Sequence, residues 1–244
     1  ATLGTTTVHT YTIEDNDPTP TVSFTATPYT TADETAGTQT VTVTLSAESG
    51  KEVTVNYATA DGTATAGSDY TAQSGTLTWA IGEIGTKSFT VPILGDVLDE
   101  DNETVALTLS SPVNCTITGT NPETLTITDD DAPPAIELSA ASSSGAESLT
   151  PASLGLSLSA VSGLDVSVDY VLTGTATGGG VDYSLAAGTA TISAGSTATT
   201  ITATIMDDAL DEVDETIIVT ISNPVNATLG TTTVHTYTIE DNDP

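Results

Sequence analysis

The sequence predicts an all-β protein: tandem, immunoglobulin-like, seven-stranded antiparallel β-sandwiches. Three observations predict it. Apolar residues alternate with polar ones in short runs, the runs are separated by Gly, Pro, Asn and Asp, and the whole pattern occurs twice in 244 residues. Thr, Ala, Gly, Val and Ser dominate while aromatics make up 4%, a composition that suits half-buried strands better than helices.

The elements follow in order. In the first half, strand A carries Val22 and Phe24, strand B Val41, Val43 and Leu45, and strand C Val53, Val55 and Tyr57. Strand D carries Leu77 and Trp79, strand E Phe89, Val91 and Ile93, strand F Val105, Leu107 and Leu109, and strand G Leu125 and Ile127. Successive side chains of a strand point to opposite faces, so each set lines one buried face. Seven such strands in about 110 residues match a β-sandwich. The second half repeats them, as in Leu154–Leu156–Leu158, Val166–Val168–Tyr170 and Ile217–Val219–Ile221. Nothing scans as a helix.

Repetition sets the domain boundaries. Residues 1–18, ATLGTTTVHTYTIEDNDP, recur unchanged as residues 227–244. A weaker copy lies between: ILGDVLDEDNET at 93–104 matches IMDDALDEVDET at 205–216. The expected organisation is one module at 19–131, a second at 132–244, and at 1–18 the last strand of a preceding module. An unbroken identity of that length points to a long array of modules, or to subunits that join head to tail by donating a strand. Expected partners are therefore neighbouring modules of the same chain or other copies of it.

Charge narrows the function. The chain has 33 acidic residues against Lys51 and Lys87, a net charge of −31. Such a field repels phosphate and anionic lipid, so neither nucleic acid nor a membrane surface is an expected partner. No apolar run reaches membrane-spanning length. In an antiparallel sandwich the A–B, C–D and E–F loops share one end with the exit of strand G. That end of the first module collects Asp33, Glu34, Asp61, Asp69, Asp96, Asp99, Glu100, Asp101, Glu103, Asp129, Asp130 and Asp131. The other end has Glu48, Glu52, Glu83 and Glu123, with both lysines. In the second module the corresponding end collects Glu147, Asp182, Asp208, Asp211, Glu240, Asp241 and Asp243 among others, and Glu14, Asp15 and Asp17 repeat the last three in the spare strand.

Two like charges about 4 Å apart repel by roughly 4 kcal/mol at an effective dielectric of 20. Ca²⁺ relieves that repulsion, because it takes about 6–8 oxygens with tolerant geometry and favours carboxylates. Zinc is a poor fit, since the chain offers only His9, His235 and Cys115. The 1-3-5 spacing and central glycine of an EF-hand are missing from DVLDEDNET. No nucleophile–base spacing or metallohydrolase motif occurs, so no enzyme is expected. Trp79 is expected in the core, Cys115 at a small-residue position, and His9 and His235 at the surface.

The runs DGTATAGSDYTAQSGTLTWAIGE (61–83), VPILGDVLDEDNETVALTLSSP (91–112) and TLTITDDD (124–131) resemble the Calx-beta family. The resemblance implies a seven-stranded sandwich with a calcium cluster at the strand-G end. Its ligands would be Glu34, Asp61, Asp69, Asp129, Asp130 and Asp131, with Asp96 and Asp99 secondary. In the second module they would be Glu147, Asp182, Glu240, Asp241 and Asp243, with Asp208 and Asp211 secondary. The pattern departs at Gln73, where some family members carry glutamate, and at Thr173 and Asn242, which stand where the first module has Asp61 and Asp130. The second site is therefore expected to bind more weakly. The resulting expectation is a calcium-binding stalk or filament segment of a secreted or cell-surface protein. The alternative is an adhesion module binding a glycan or a partner protein directly.

Overall fold

The computed structural model describes residues 1–2, 4–30 and 33–244. The first sandwich is made of β1 (Thr21–Phe24), β2 (Tyr29–Thr30), β3 (Thr38–Leu45), β4 (Val53–Asp61), β5 (Ser74–Trp79), β6 (Gly85–Pro92), β7 (Glu103–Val113), β8 (Thr116–Ile117) and β9 (Glu123–Ile127). The second is made of β10 (Ala135–Leu138), β11 (Ser142–Ala146), β12 (Ala152–Leu158), β13 (Val166–Gly174), β14 (Tyr183–Ser184), β15 (Gly188–Ile192), β16 (Ala198–Ile205), β17 (Glu215–Val225), β18 (Thr228–Leu229) and β19 (Val234–Glu240). The only helical element among the described residues is a single 3-10 turn, Glu34–Ala36.

Alternation explains these strands. In β7, Val105, Leu107 and Leu109 are buried and the residues between them are not. In β17, Ile217, Val219 and Ile221 repeat the pattern. The inward residues of the first sandwich form one core that includes Trp79, Tyr70, Leu107 and Leu125. Trp79 is fully buried, as expected, and its indole N–H donates to the Gly85 carbonyl at 2.9 Å. A second core gathers Ile136, Leu154, Leu156, Ile192 and Ile217.

Each sandwich pairs two sheets, ordered β6-β3-β1-β8 and β2-β9-β7-β4-β5 in the first, β14-β16-β12-β10-β18 and β11-β19-β17-β13-β15 in the second. Strand A, expected as one piece, is divided between the sheets. β1 runs antiparallel to β3, whereas β2 runs parallel to β9, with Tyr29 opposite Leu125. The second half does the same with β10 and β11, where Ser143 lies opposite Tyr237. This crossing covers the free edge of the last strand. It also delivers the chain, directly after β2 or β11, to the end where that last strand exits.

By compactness the chain forms two units. One holds Ala1–Ala32, Ala36–Leu94 and Glu103–Ile127 in their described parts; the other holds Asp33–Thr35, Gly95–Asn102 and Thr128–Pro244. Two acidic loops and the segment after β9 therefore belong to the second unit.

Candidate metal sites

Glu34 opens the 3-10 turn and is 9% exposed. Its Oε1 accepts the backbone N–H of Asp96 at 3.3 Å. Burial pushes the Glu34 carboxyl up to about 7, and the charges of Asp96, Asp129 and Asp131 add to that rise. Glu34, Asp129 and Asp131 each present an oxygen within 4.8 Å of the other two. Asp129 Oδ1 and Asp131 Oδ2 are buried and have no hydrogen-bond partner. A buried polar atom left unpaired is costly, and oxygens arranged around one point at about 2.3–2.6 Å are what a divalent hard cation requires. The residues fit such an ion. Asp130 is turned aside, accepting from the Thr35 hydroxyl at 3.1 Å. Asn102 braces the segment by accepting from the Asp129 N–H at 3.0 Å.

The second sandwich builds the same triad from equivalent positions. Glu147, which follows β11, Asp241 and Asp243 bring oxygens within 4.8 Å of one another. Glu147 is 5% exposed, and Asp243 Oδ2 is buried without a partner. Burial raises the Glu147 carboxyl, helped by its contact with Asp243 and the charges of Asp241 and Asp208. Here Asn242 donates to Glu147 Oε1 at 3.3 Å and accepts from the Ser148 hydroxyl at 2.7 Å. One ligand oxygen is thus partly occupied by an amide.

A family model for the Calx-beta domain matches residues 15–131 and again 129–243. The chain belongs to the Calx-beta family. Its two modules are similar to the crystal structure of CBD12 from CALX1.2, with 20% identity over 90% of this chain and 99% of that one, at a TM-score of 0.45. They are similar also to the calcium binding domain CBD12 of CALX1.1, with 24% identity over 83% and 79% of the two chains and a TM-score of 0.44. The apo-form Calx CBD1 domain matches at 27% identity over 47% of this chain and all of that one, TM-score 0.44. No curated protein sequence matches.

The remaining candidates of the two Calx-beta modules are distributed unevenly. Asp61 and Asp69 lie on the C–D loop of the first unit, where their oxygens hold the loop together. Asp61 Oδ1 accepts from Tyr70 O–H at 2.7 Å and from the Ala66 N–H at 3.0 Å, and Asp69 Oδ2 accepts from the Thr65 N–H at 2.6 Å. Asp96 and Asp208 each close a tight turn, accepting the N–H of Leu98 and Leu210 at 2.8 Å. Asp99 faces Ser162, whose hydroxyl approaches its backbone oxygen at 3.3 Å and Oδ2 at 3.4 Å. Asp211 and Glu240 are exposed, as are Glu14, Asp15 and Asp17.

Asp182, by contrast, joins the second site. A small cavity of about 10 Å³ is lined by Glu147, Asp182, Glu212, Glu215 and Asp241 together with apolar side chains. Glu215 is pushed up to about 7 by burial and by its hydrogen bond with Asp182. Glu212 is raised by burial and by Asp208, Asp182 and Asp241. Sequence reasoning did not single out Glu212 and Glu215 as ligands. Parity supplied the missing signal for Glu215: Ile217, Val219 and Ile221 face inward, so the residue two before them does too.

His235 also departs from expectation. It is 3% exposed rather than on the surface. Its Nδ1–H donates to the Ala140 carbonyl at 2.7 Å and its Nε2 accepts from the Ser143 hydroxyl at 2.8 Å. Both ring nitrogens being satisfied, the imidazole packs between β11 and β19 at no polar cost. The identical His9 is exposed.

Proposed function

We propose that this tandem Calx-beta chain is a non-catalytic, calcium-binding structural segment of a long secreted or cell-surface protein, acting as a stalk or filament. Ca²⁺ would be held by Glu34, Asp129 and Asp131 in one module and by Glu147, Asp241 and Asp243 in the other. The observation that carries this reading is the set of buried, partnerless oxygens on Asp129, Asp131 and Asp243, each within an acidic triad. The same triad arises at equivalent positions of two modules that differ in most other residues. A shared binding role explains that better than solvated charge.

Asp129 and Asp131 directly follow β9, and two prolines, Pro133 and Pro134, lie between them and β10. A cation shared with Glu34 ties the connecting segment down, and proline restricts bending there as well. Calcium thus stiffens the chain at each connection, and its removal restores repulsion and freedom. Extracellular modules of this kind hold calcium at about 10⁻⁴–10⁻³ M, which keeps them filled outside cells and empty in most cytoplasm.

Calorimetric titration of the chelator-stripped protein tests the binding, and small-angle scattering of a multi-module protein tests the stiffening. Saturable uptake and a longer maximum dimension in calcium are expected. No heat and an unchanged dimension would reject the reading.

A further inference from the structure

The two sandwiches differ on one side, where β5 meets β6 in the first and β15 meets β16 in the second. In the first, the Tyr57 and Phe89 rings stack there, with centroids 3.9 Å apart and planes 10° from parallel. Leu77 is buried in the same core, and Lys87, half-buried and paired with Glu83, precedes Phe89 by two residues on the same face of β6.

Strand register identifies the equivalents in the second sandwich. Tyr170, opposite Gly188, stands where Tyr57 stands opposite Gly75. Ile201, opposite Leu154, takes the place of Phe89 opposite Val41, and Thr199 takes that of Lys87. Ala190, opposite Val168, takes the place of Leu77 opposite Val55. Three side chains are thus shortened around one tyrosine ring, and neighbours relax only partly into such lost volume. A cavity of about 240 Å³ lies there, its apolar lining supplied by Tyr170, Leu185, Ala190 and Ile201.

The rest of the lining says what the cavity takes. It consists of five threonines, and no charged residue borders the cavity in a chain of net charge −31. β15 is the last strand of its sheet, so its free backbone N–H and C=O groups face the same side. The volume falls below the roughly 300–1,000 Å³ of a drug-sized pocket, which leaves room for one ring. The matching side of the first sandwich, which another module follows in the chain, keeps Thr76, Thr78, Ser88 and Thr90 exposed, so openness here does not come from a chain end.

We propose that this cavity binds one neutral pyranose ring of a glycan. The C–H face of the sugar lies on Tyr170, in the place that Phe89 fills on Tyr57, and its hydroxyls meet the threonines and the edge of β15. A pyranose combines an apolar face with a rim of hydroxyls, and a phenyl ring lacks the second. The charge of the chain disfavours an acidic sugar. The cavity shares no residue with either calcium triad. The site therefore goes beyond the calcium-binding reading and stands whether or not that reading holds.

Titration followed by amide NMR shifts of the whole chain tests the proposal. The probes are the methyl pyranosides of glucose, galactose, mannose and N-acetylglucosamine, with benzyl alcohol as the aromatic control, each with and without calcium. At least one sugar should saturate with a dissociation constant on the order of 1–10 mM, as a single small ring allows. It should move the signals of Tyr170, Ala190 and Thr199 and leave those of Tyr57 and Leu77 in place. Ala190→Leu combined with Ile201→Phe installs the residues of the first module and should weaken binding at least tenfold. Thr199→Lys, at a half-buried position that is Lys87 in the first module, is a second variant that spares the core and should weaken binding several-fold. No saturation by any of the four sugars in either condition, shifts that both variants leave unchanged, or saturation by benzyl alcohol alone overturns the proposal.

Discussion

The carboxyl of Glu34 accepts the backbone N–H of Asp96, 62 residues further along the chain, at 3.3 Å. That bond fixes an acidic side chain on the 3-10 turn against a second acidic loop, beside Asp129 and Asp131. Burial pushes the Glu34 carboxyl up to about 7, so near neutral pH it shares a proton with solvent, which eases the repulsion from Asp96, Asp129 and Asp131.

Stability without calcium should therefore fall as pH rises. Glu34 and Glu215 each have a folded pKa of about 7 against an ordinary value of 4.5. The folded state binds the extra proton, so their contribution is fully present below about 4.5 and is lost as pH climbs through about 7. Chemical denaturation in chelator at a series of pH values should show this decline. Calcium replaces the protons and should flatten the profile or reverse its slope.

Glu34→Gln keeps the shape of the side chain and removes its charge. It should weaken calcium binding at the first site by roughly tenfold or more, since ligand charge sets affinity in such sites. Stability in chelator should rise at neutral pH, because repulsion is relieved. Calorimetry and melting curves read the two effects separately, and a substitution that merely damaged the fold would lower both.

Asn242→Asp converts the amide that occupies Glu147 Oε1 into a carboxylate. Calcium affinity at the second site should increase, and stability in chelator should drop. Titrations of the variant and the parent side by side check the direction of each change.

His235→Phe keeps the buried ring but removes its hydrogen bonds to the Ala140 carbonyl and the Ser143 hydroxyl, both on exposed residues that water can reach. The cost should be about 0.5–1.5 kcal/mol in urea denaturation. His9→Phe, at an exposed position, should change nothing measurable.

Gly174 has φ +127°, and a Cβ there would lie 2.1 Å from the Thr216 carbonyl oxygen. Gly174→Ala should destabilise the second sandwich by more than about 1 kcal/mol, since both the conformation and the space are forbidden. A denaturation midpoint equal to that of the parent would contradict this.

Strand positions and the choice of inward residues were legible in the sequence because period-2 alternation reports directly on burial, as Val105, Leu107 and Leu109 illustrate. The same alternation was legible but unused at Glu215, where an acid occupies an inward position. The crossing of strand A between sheets was not legible, since no local pattern records that Tyr29 pairs with Leu125. His235 misled for a related reason. A lone polar residue near a strand start resembles a surface position, and only the chain crossing beside it supplies the Ala140 and Ser143 partners. The acidic triads were visible as a convergence of loops. Which acids point inward and which close their own turns, as Asp96 and Asp208 do, depends on loop geometry that charge counting does not contain.

Calcium-soaked crystals measured for anomalous scattering address the metal sites most directly. Peaks should stand among Glu34, Asp129 and Asp131 and among Glu147, Asp241 and Asp243, with the buried oxygens at about 2.3–2.6 Å. Well-ordered carboxylates around both positions with no anomalous peak, at millimolar calcium, would contradict the assignment of these triads as calcium sites.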